Sequence, residues 1–133
     1  MSEISLDEWL SGRDFTFWSN GYHKIDPAQF FDLWAEGKAV LLDVRTPEEQ
    51  RFLALPFAMA IPLHELPQRW QEIPRDVLVA TFCSGGDRSN VAFTYLRSKG
   101  FDNVRIFKGT YAELTAELMP GKLRKYLEKR QSA

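Results

Sequence analysis

The chain has 133 residues, 44% of them hydrophobic, and this size and composition suit one compact domain with one core. Its 17 Lys and Arg residues and 18 Asp and Glu residues exclude the strongly basic balance expected of a nucleic-acid-binding protein. No apolar stretch approaches the length of a membrane span, and a single cysteine excludes an internal disulfide and a cysteine-based zinc cage.

Residues 1–22 form an N-terminal extension that is rich in aromatic side chains. Ser5 and Glu8 have the spacing of a capping box, which predicts a short helix. We expect the aromatic side chains to pack over the domain's own core, and a homodimer or partner surface is the alternative. The extension lacks the features of a secretory signal and the lone cysteine suits a reducing compartment, so we expect a cytoplasmic protein.

Residues 23–133 are predicted to be the folded domain, ending in a C-terminal helix. From Ile25 onward, short apolar runs alternate with helical periodicity, which is typical of βα units around a parallel sheet. The predicted strands are Ala39–Val44, Met59–Ile61, Val77–Phe82 and Val104–Phe107. The predicted helices begin at Pro27, Pro47, His64 and shortly after Arg88, and two more lie near Thr110–Leu118 and Lys122–Arg130.

Cys83 follows a buried strand and precedes a helix, which is where open α/β sheets bind their ligands. Gly85 and Gly86 allow the backbone to curl so that successive N–H groups form an anion-binding nest. Such a nest lowers the pKa of a thiol, so we interpret Cys83 as a reactive thiolate rather than as a small buried hydrophobe. Arg88 suits bidentate contact with an anion, and its alternative role is that of an ordinary arginine at a helix start.

Four segments of the sequence together resemble the rhodanese homology domain, and the resemblance spans about Ile25 to Leu118. These segments are Leu42–Glu49, Ile61–Pro62, Phe82–Ser89 and Gly100–Val104. The resemblance implies an α/β, three-layer rhodanese-like fold with a central, mostly parallel five-stranded sheet flanked by helices.

The same resemblance implies a sulfurtransferase of the thiosulfate:cyanide class, in which Cys83 carries a persulfide. The implied substrate-binding loop consists of Ser84, Gly85, Gly86, Asp87, Arg88 and Ser89. The donor would be thiosulfate, another small sulfur-containing anion or a protein persulfide, and the acceptor would be a thiol or cyanide.

Asp43 and Arg45 match the family's Asp-x-Arg motif, which implies that they support the loop, with Arg45 paired to Glu49. The sequence departs from the family at Leu53–Ala58, where Gly-His-Ile-Pro-Gly-Ala is common, and again near its end. There, Gly109 and Thr110 replace paired glycines, and Leu114 stands near the place of a tryptophan. Asp87 adds a negative charge to the loop, and we expect it to point inward or to lie at the rim, so that it weakens thiosulfate binding and favours a protein persulfide.

Two other functions compete with sulfur transfer. Cysteine phosphatases and arsenate reductases place one more residue between Cys and Arg than the four found here, so this loop should be too small for their tetrahedral substrates. A non-catalytic interaction module is favoured by the altered motif and by Asp87, but it would need neither Cys83 nor Arg88. His23 and His64 have no metal-ligand spacing and no nucleotide-binding glycine motif occurs, so we expect neither a metal nor an organic cofactor.

Overall fold

A computed structural model describes residues 4–132 of the chain. Its strands are β1 (Lys24–Ile25), β2 (Ala39–Asp43), β3 (Met59–Ala60), β4 (Leu78–Phe82) and β5 (Val104–Phe107). They form one five-stranded sheet in the order β1-β5-β4-β2-β3. All of these neighbouring strands are parallel, so the predicted α/β architecture is confirmed and the sheet is parallel throughout.

Eight α-helices surround the sheet in the described part of the chain. They are α1 (Leu6–Ser11), α2 (Phe15–Ser19), α3 (Pro27–Ala35), α4 (Pro47–Phe52), α5 (Leu66–Arg69), α6 (Asp87–Ser98), α7 (Tyr111–Ala116) and α8 (Pro120–Ser132). Short 3-10 turns at Leu63–Glu65 and Trp70–Glu72 flank α5, so the helix predicted from His64 is broken into three pieces.

An apolar cluster covers each face of the sheet. Because successive side chains of a strand point to opposite faces, Leu41 packs towards the side of α3 and α8, while Leu42 packs towards the side of α6. Every residue of β4 is buried, as the sequence predicts for a central strand of a parallel sheet. The central position of β4 fixes the place of the loop that follows it.

The predicted helix starts at Pro27 and Pro47 are confirmed. Thr46 and Glu49 form the capping box that begins α4, and Gly100 has a φ of +85° where the chain leaves α6. Three predicted strands are each one residue too long: they end at Asp43 and Ala60 and begin at Leu78 in the structure. The two-residue strand β1 and helix α2 were not predicted.

The N-terminal extension contacts the core through Trp9. Its indole is only 5% exposed and meets Phe93 of α6 edge to face, with ring centroids 5.7 Å apart. Phe15 is 84% exposed, so the extension also leaves aromatic surface in solvent, and a homodimer through it stays a prediction. Residues 1–3 of the extension and Ala133 lie outside the described residues, and the division at residue 22 stays a prediction. Among residues 4–132, no helix combines the length and the hydropathy needed to cross a bilayer.

Candidate active site

The loop from Cys83 to Arg88 lies at the carboxyl end of β4, between the ends of β2 and β5. Gly86 is the N-cap of α6 and has a φ of +100°, a conformation that glycine adopts without strain. This backbone turn directs the amide groups of the loop towards its centre. The predicted nest is therefore present.

The Sγ atom of Cys83 occupies the centre of the nest, and the residue is 2% exposed. Sγ accepts hydrogen bonds from the backbone N–H groups of Gly86 at 3.0 Å and of Ser89 at 3.3 Å. Burial raises the pKa of the Cys83 thiol, but the hydrogen bonds from Ser89, Gly85 and Gly86 together outweigh burial and lower it. The site therefore favours the thiolate, the nucleophilic form of cysteine.

Ser89 supports the nest with both its backbone and its side chain. Its hydroxyl donates to the carbonyl oxygen of Gly86 at 2.8 Å, and its own carbonyl oxygen accepts from the buried Thr81 hydroxyl at 3.0 Å. The Ser89 side chain is also among the groups that lower the pKa of the Cys83 thiol. Since a hydroxyl has one proton, it donates either to Gly86 or, after rotation, to the thiolate.

Replacing Ser89 with alanine is expected to raise the pKa of the Cys83 thiol, because one donor to the thiolate is lost. The measurement is the rate of alkylation by iodoacetamide as a function of pH, whose midpoint should move to higher pH. Ser98→Ala removes a hydroxyl from the exposed end of the same helix and is the control. Equal midpoints in Ser89→Ala and wild-type protein would contradict this role of the Ser89 hydroxyl.

Arg88 is held by an acidic partner at the mouth of the loop. Its Nη1 donates to Oε1 of Glu49 at 2.6 Å, and its Nη2 donates to Oε2 of Glu49 at 3.0 Å and to the Ser84 hydroxyl at 3.1 Å. The hydrogen bond from Arg88 is the largest cause that lowers the pKa of Glu49 to about 2, and Glu49 raises the pKa of Arg88 in return. Both groups are charged at neutral pH, so Glu49 neutralises much of the positive charge that the loop was expected to offer.

This pairing corrects the prediction that Arg45 pairs with Glu49. The Glu49 carboxylate is held at the start of α4 by the backbone N–H of Thr46 at 3.0 Å, where it meets Arg88. Arg45 turns inward and pairs with Asp43, with 2.7 Å between Nη2 and Oδ2. Only the backbone carbonyl of Glu49 contacts Arg45, at 3.4 Å from Nη1.

Arg45 is fully buried, and each of its five side-chain N–H donors faces an acceptor. Two bonds go to Asp43, one goes to the carbonyl oxygen of Leu53 at 2.9 Å and another to the Tyr111 hydroxyl at 3.0 Å. These bonds join the end of β2, the segment after α4 and the start of α7. Asp43 and Arg45 are thus placed to hold together the elements around the loop.

Aromatic side chains pack at both places where the sequence departs from the family pattern. In the segment Leu53–Ala58, Phe57 packs against Phe31 and Trp34 of α3, with centroids 5.7 and 5.9 Å apart. Leu114 is completely buried in the core, and Tyr111 lies beside Phe82 with its hydroxyl on Arg45. Sequence reasoning missed Tyr111, because no local pattern singles it out.

Asp87 is the first residue of α6 and is exposed. It lines a groove of about 270 Å³ beside the loop, together with Lys24 and Lys108. Asp87 therefore lies at the rim of the loop, and its effect on thiosulfate binding stays a prediction. In residues 4–132, no group of three or more His, Cys, Asp and Glu side chains is arranged to hold a metal ion.

Comparison with known proteins agrees with this geometry. A family model described as the Rhodanese-like domain matches residues 26–117. A sulfurtransferase of Allochromatium vinosum is 36% identical over 88 residues, covering 65% of this chain and 82% of that protein. A tRNA sulfurtransferase of Photorhabdus laumondii is 30% identical over 73 residues, which are 52% of this chain but only 15% of that protein.

Among solved structures, the human single-domain sulfurtransferase TSTD1 superposes with a TM-score of 0.63 and 28% identity, covering 71% of this chain and 96% of that chain. The resemblance predicted from Ile25 to Leu118 is confirmed, because the family model matches nearly the same span. The chain belongs to the family of rhodanese-like domains, and its relatives are sulfurtransferases.

Proposed function

We propose that the protein transfers a sulfane sulfur through a persulfide on Cys83. The observation that carries the proposal is the buried Sγ atom, which accepts N–H groups from Gly86 and Ser89 at 3.0 and 3.3 Å. The same donors that favour a thiolate also favour a negatively charged terminal persulfide sulfur. The lone thiolate would be kept reduced in the cytoplasm, which is where we place the protein.

The reaction consists of two displacements. The Cys83 thiolate attacks the outer sulfur atom of thiosulfate or of a persulfide. The sulfur–sulfur bond of the donor breaks, and sulfite or a thiolate leaves with the electron pair. An acceptor thiolate or cyanide then attacks the terminal sulfur and releases the Cys83 thiolate. Because the chain has one cysteine, no second thiol resolves the persulfide within it, and parallel double-reciprocal plots are expected.

Intact-protein mass spectrometry tests this function. Wild-type protein exposed to thiosulfate or to a small persulfide should gain one sulfur atom and lose it again on addition of cyanide. If none of several sulfane donors adds sulfur, the persulfide mechanism is wrong. The non-catalytic interaction module, which the engagement of Arg88 by Glu49 favours, is then the better account.

Thiosulfate is expected to be a poorer donor than a protein persulfide. Its two negative charges meet a loop in which Glu49 already neutralises Arg88 at 2.6 Å. A protein persulfide carries no sulfonate group, so the neutralisation of Arg88 by Glu49 weakens its binding less.

Replacing Glu49 with glutamine is expected to raise kcat/KM for thiosulfate by about three- to tenfold, because it removes one rim charge that repels a dianion. Glutamine also serves as the third helical residue of a capping box, so α4 should remain intact. The measurement is steady-state sulfur transfer to cyanide at low ionic strength.

Asp87→Asn is the matched control, because it removes the same charge from the exposed rim. It should change kcat/KM for thiosulfate less than Glu49→Gln does. If Asp87→Asn has the larger effect, then Asp87, and not Glu49, limits the use of thiosulfate.

A further inference from the structure

A second pocket lies at the end of the sheet opposite to the Cys83 loop. Its volume is about 450 Å³, and it is lined by Arg13 and Tyr22 of the extension, by Arg97 near the end of α6, and by Asp102 and Arg105 around the start of β5. Since β4 and β5 are parallel, the start of β5 and the loop after β4 lie at opposite ends of the strands. This pocket is therefore separate from the sulfur site.

Three guanidinium groups line this pocket. Within residues 4–132, Arg13, Arg97 and Arg105 form no salt bridge, and the Nε atoms of Arg13 and Arg97 are buried without an acceptor. Buried donors that lack an acceptor are costly, and so is the proximity of like charges. Burial and then the charge of Arg13 lower the pKa of Arg97, while Asp102 offsets this only in part.

The indole of Trp9 positions two of these groups. The Cζ atoms of Arg13 and Arg97 lie 5.2 and 4.7 Å from the Trp9 ring centroid. Stacking on a ring fixes a guanidinium but uses none of its N–H donors, so those donors remain free for a ligand. The pocket is therefore preorganised and electropositive.

We propose that this pocket binds a small phosphate-bearing molecule, either free pyrophosphate or a nucleoside phosphate. Guanidinium forks match phosphate oxygens in bidentate geometry, and the volume lies within the range of about 300–1,000 Å³ that small-molecule sites occupy. Tyr22 and Arg105 also line an adjoining pocket, where Lys24 adds a positive charge and Lys108 pairs with Asp26 at 3.7 Å, so the positive surface extends beyond one phosphate group. Pyrophosphate should therefore bind more tightly than orthophosphate.

Part of this site lies outside the span that matches the family model. Arg13, Phe17 and Tyr22 line the pocket, and all three precede the matched residues 26–117. Loss of phosphate binding in the arginine variants would leave the sulfur-transfer proposal untouched, because Arg97 and Arg105 do not line the groove beside the Cys83 loop.

Isothermal titration calorimetry at constant ionic strength tests the proposal, with orthophosphate, pyrophosphate, ATP and a short single-stranded oligonucleotide as separate titrants. Arg105→Gln and Arg97→Gln should each weaken pyrophosphate binding tenfold or more. Asp102→Asn removes the negative charge of the pocket and should tighten pyrophosphate binding severalfold. If Asp102 had only a structural role, its replacement would not tighten binding. Arg124→Gln makes the same charge change on an exposed part of α8 and should leave binding unchanged.

Circular dichroism identifies any variant that does not fold, and Arg105→Gln and Asp102→Asn then decide the question, because neither residue stacks on Trp9. If pyrophosphate and ATP bind equally well to wild-type protein and Arg105→Gln, the pocket is not their site. Tight binding of the oligonucleotide alone would also overturn the proposal, since it would indicate a nucleic-acid surface. A preference for ATP over pyrophosphate identifies a nucleoside phosphate, and the reverse preference identifies a free phosphate ligand.

Discussion

Replacing Cys83 with serine is expected to abolish both the loading of sulfur onto the protein and its transfer to cyanide. A serine hydroxyl neither ionises near neutral pH nor forms a persulfide, and the chain has no other cysteine. The nest itself should persist, because a serine oxygen accepts the N–H groups of Gly86 and Ser89 in place of Sγ. Intact mass after incubation with a sulfane donor and a cyanide-based turnover assay measure the two losses.

A displaced thiol provides the control for this variant. Adding Ser98→Cys to the Cys83→Ser protein places a thiol on the exposed end of the same helix, outside the nest. We expect this thiol to react with alkylating reagents but not to restore turnover. Restored turnover would show that any accessible thiol suffices and that the amides around Cys83 contribute nothing to the reaction.

The elements that carry this site were predictable where the sequence pattern is local. Buried strands of a parallel sheet are apolar on both faces, which identified Ala39–Val44 and Val77–Phe82 within one residue at each end. Two glycines between a strand and a helix allow the positive-φ backbone turn that a nest requires, so the nest around Cys83 was also predictable.

Contacts between distant segments were not predictable, because nothing in the local sequence encodes them. Arg88 and Glu49 are 39 positions apart, and Arg45 and Tyr111 are 66 positions apart. The family resemblance implied a pair between Arg45 and Glu49, which are only four positions apart. The structure differs because Arg45 is fully buried and pairs with the equally buried Asp43. Glu49 pairs with Arg88 instead.

Very short elements were missed for a related reason. The strand Lys24–Ile25 has two residues and exists because β5 supplies its partner, with Lys24 opposite Ile106. Helix α2 has five residues, and so short a helix depends on tertiary packing rather than on propensity. Its Phe17 ring packs against Trp9, which anchors the extension to the core.

Replacing Arg45 with methionine is expected to lower the free energy of unfolding by about 3–5 kcal/mol, the largest stability effect that we expect of any substitution here. Arg45 is completely buried, and its loss leaves the Asp43 carboxylate buried without its cation. The carbonyl oxygen of Leu53 and the Tyr111 hydroxyl lose a donor as well. Urea denaturation followed by circular dichroism measures the change.

A double-mutant cycle separates the cost of the unpaired charge from the cost of the lost packing. Asp43→Leu combined with Arg45→Met removes both charges, and we expect it to recover much of the stability that Arg45→Met loses, since apolar replacements of a buried ion pair are often tolerated. Arg69→Met is the matched control, because Arg69 pairs with Glu65 and Glu72 at the surface and should lose less than about 1 kcal/mol. If Arg69→Met and Arg45→Met cost the same, the buried pair is not the origin of the loss. The same conclusion follows if the double variant loses, relative to wild-type protein, the sum of what Asp43→Leu and Arg45→Met each lose alone. The bonds from Arg45 to the segment after α4 and to α7 would then account for its contribution, because those are the bonds that the double variant does not restore.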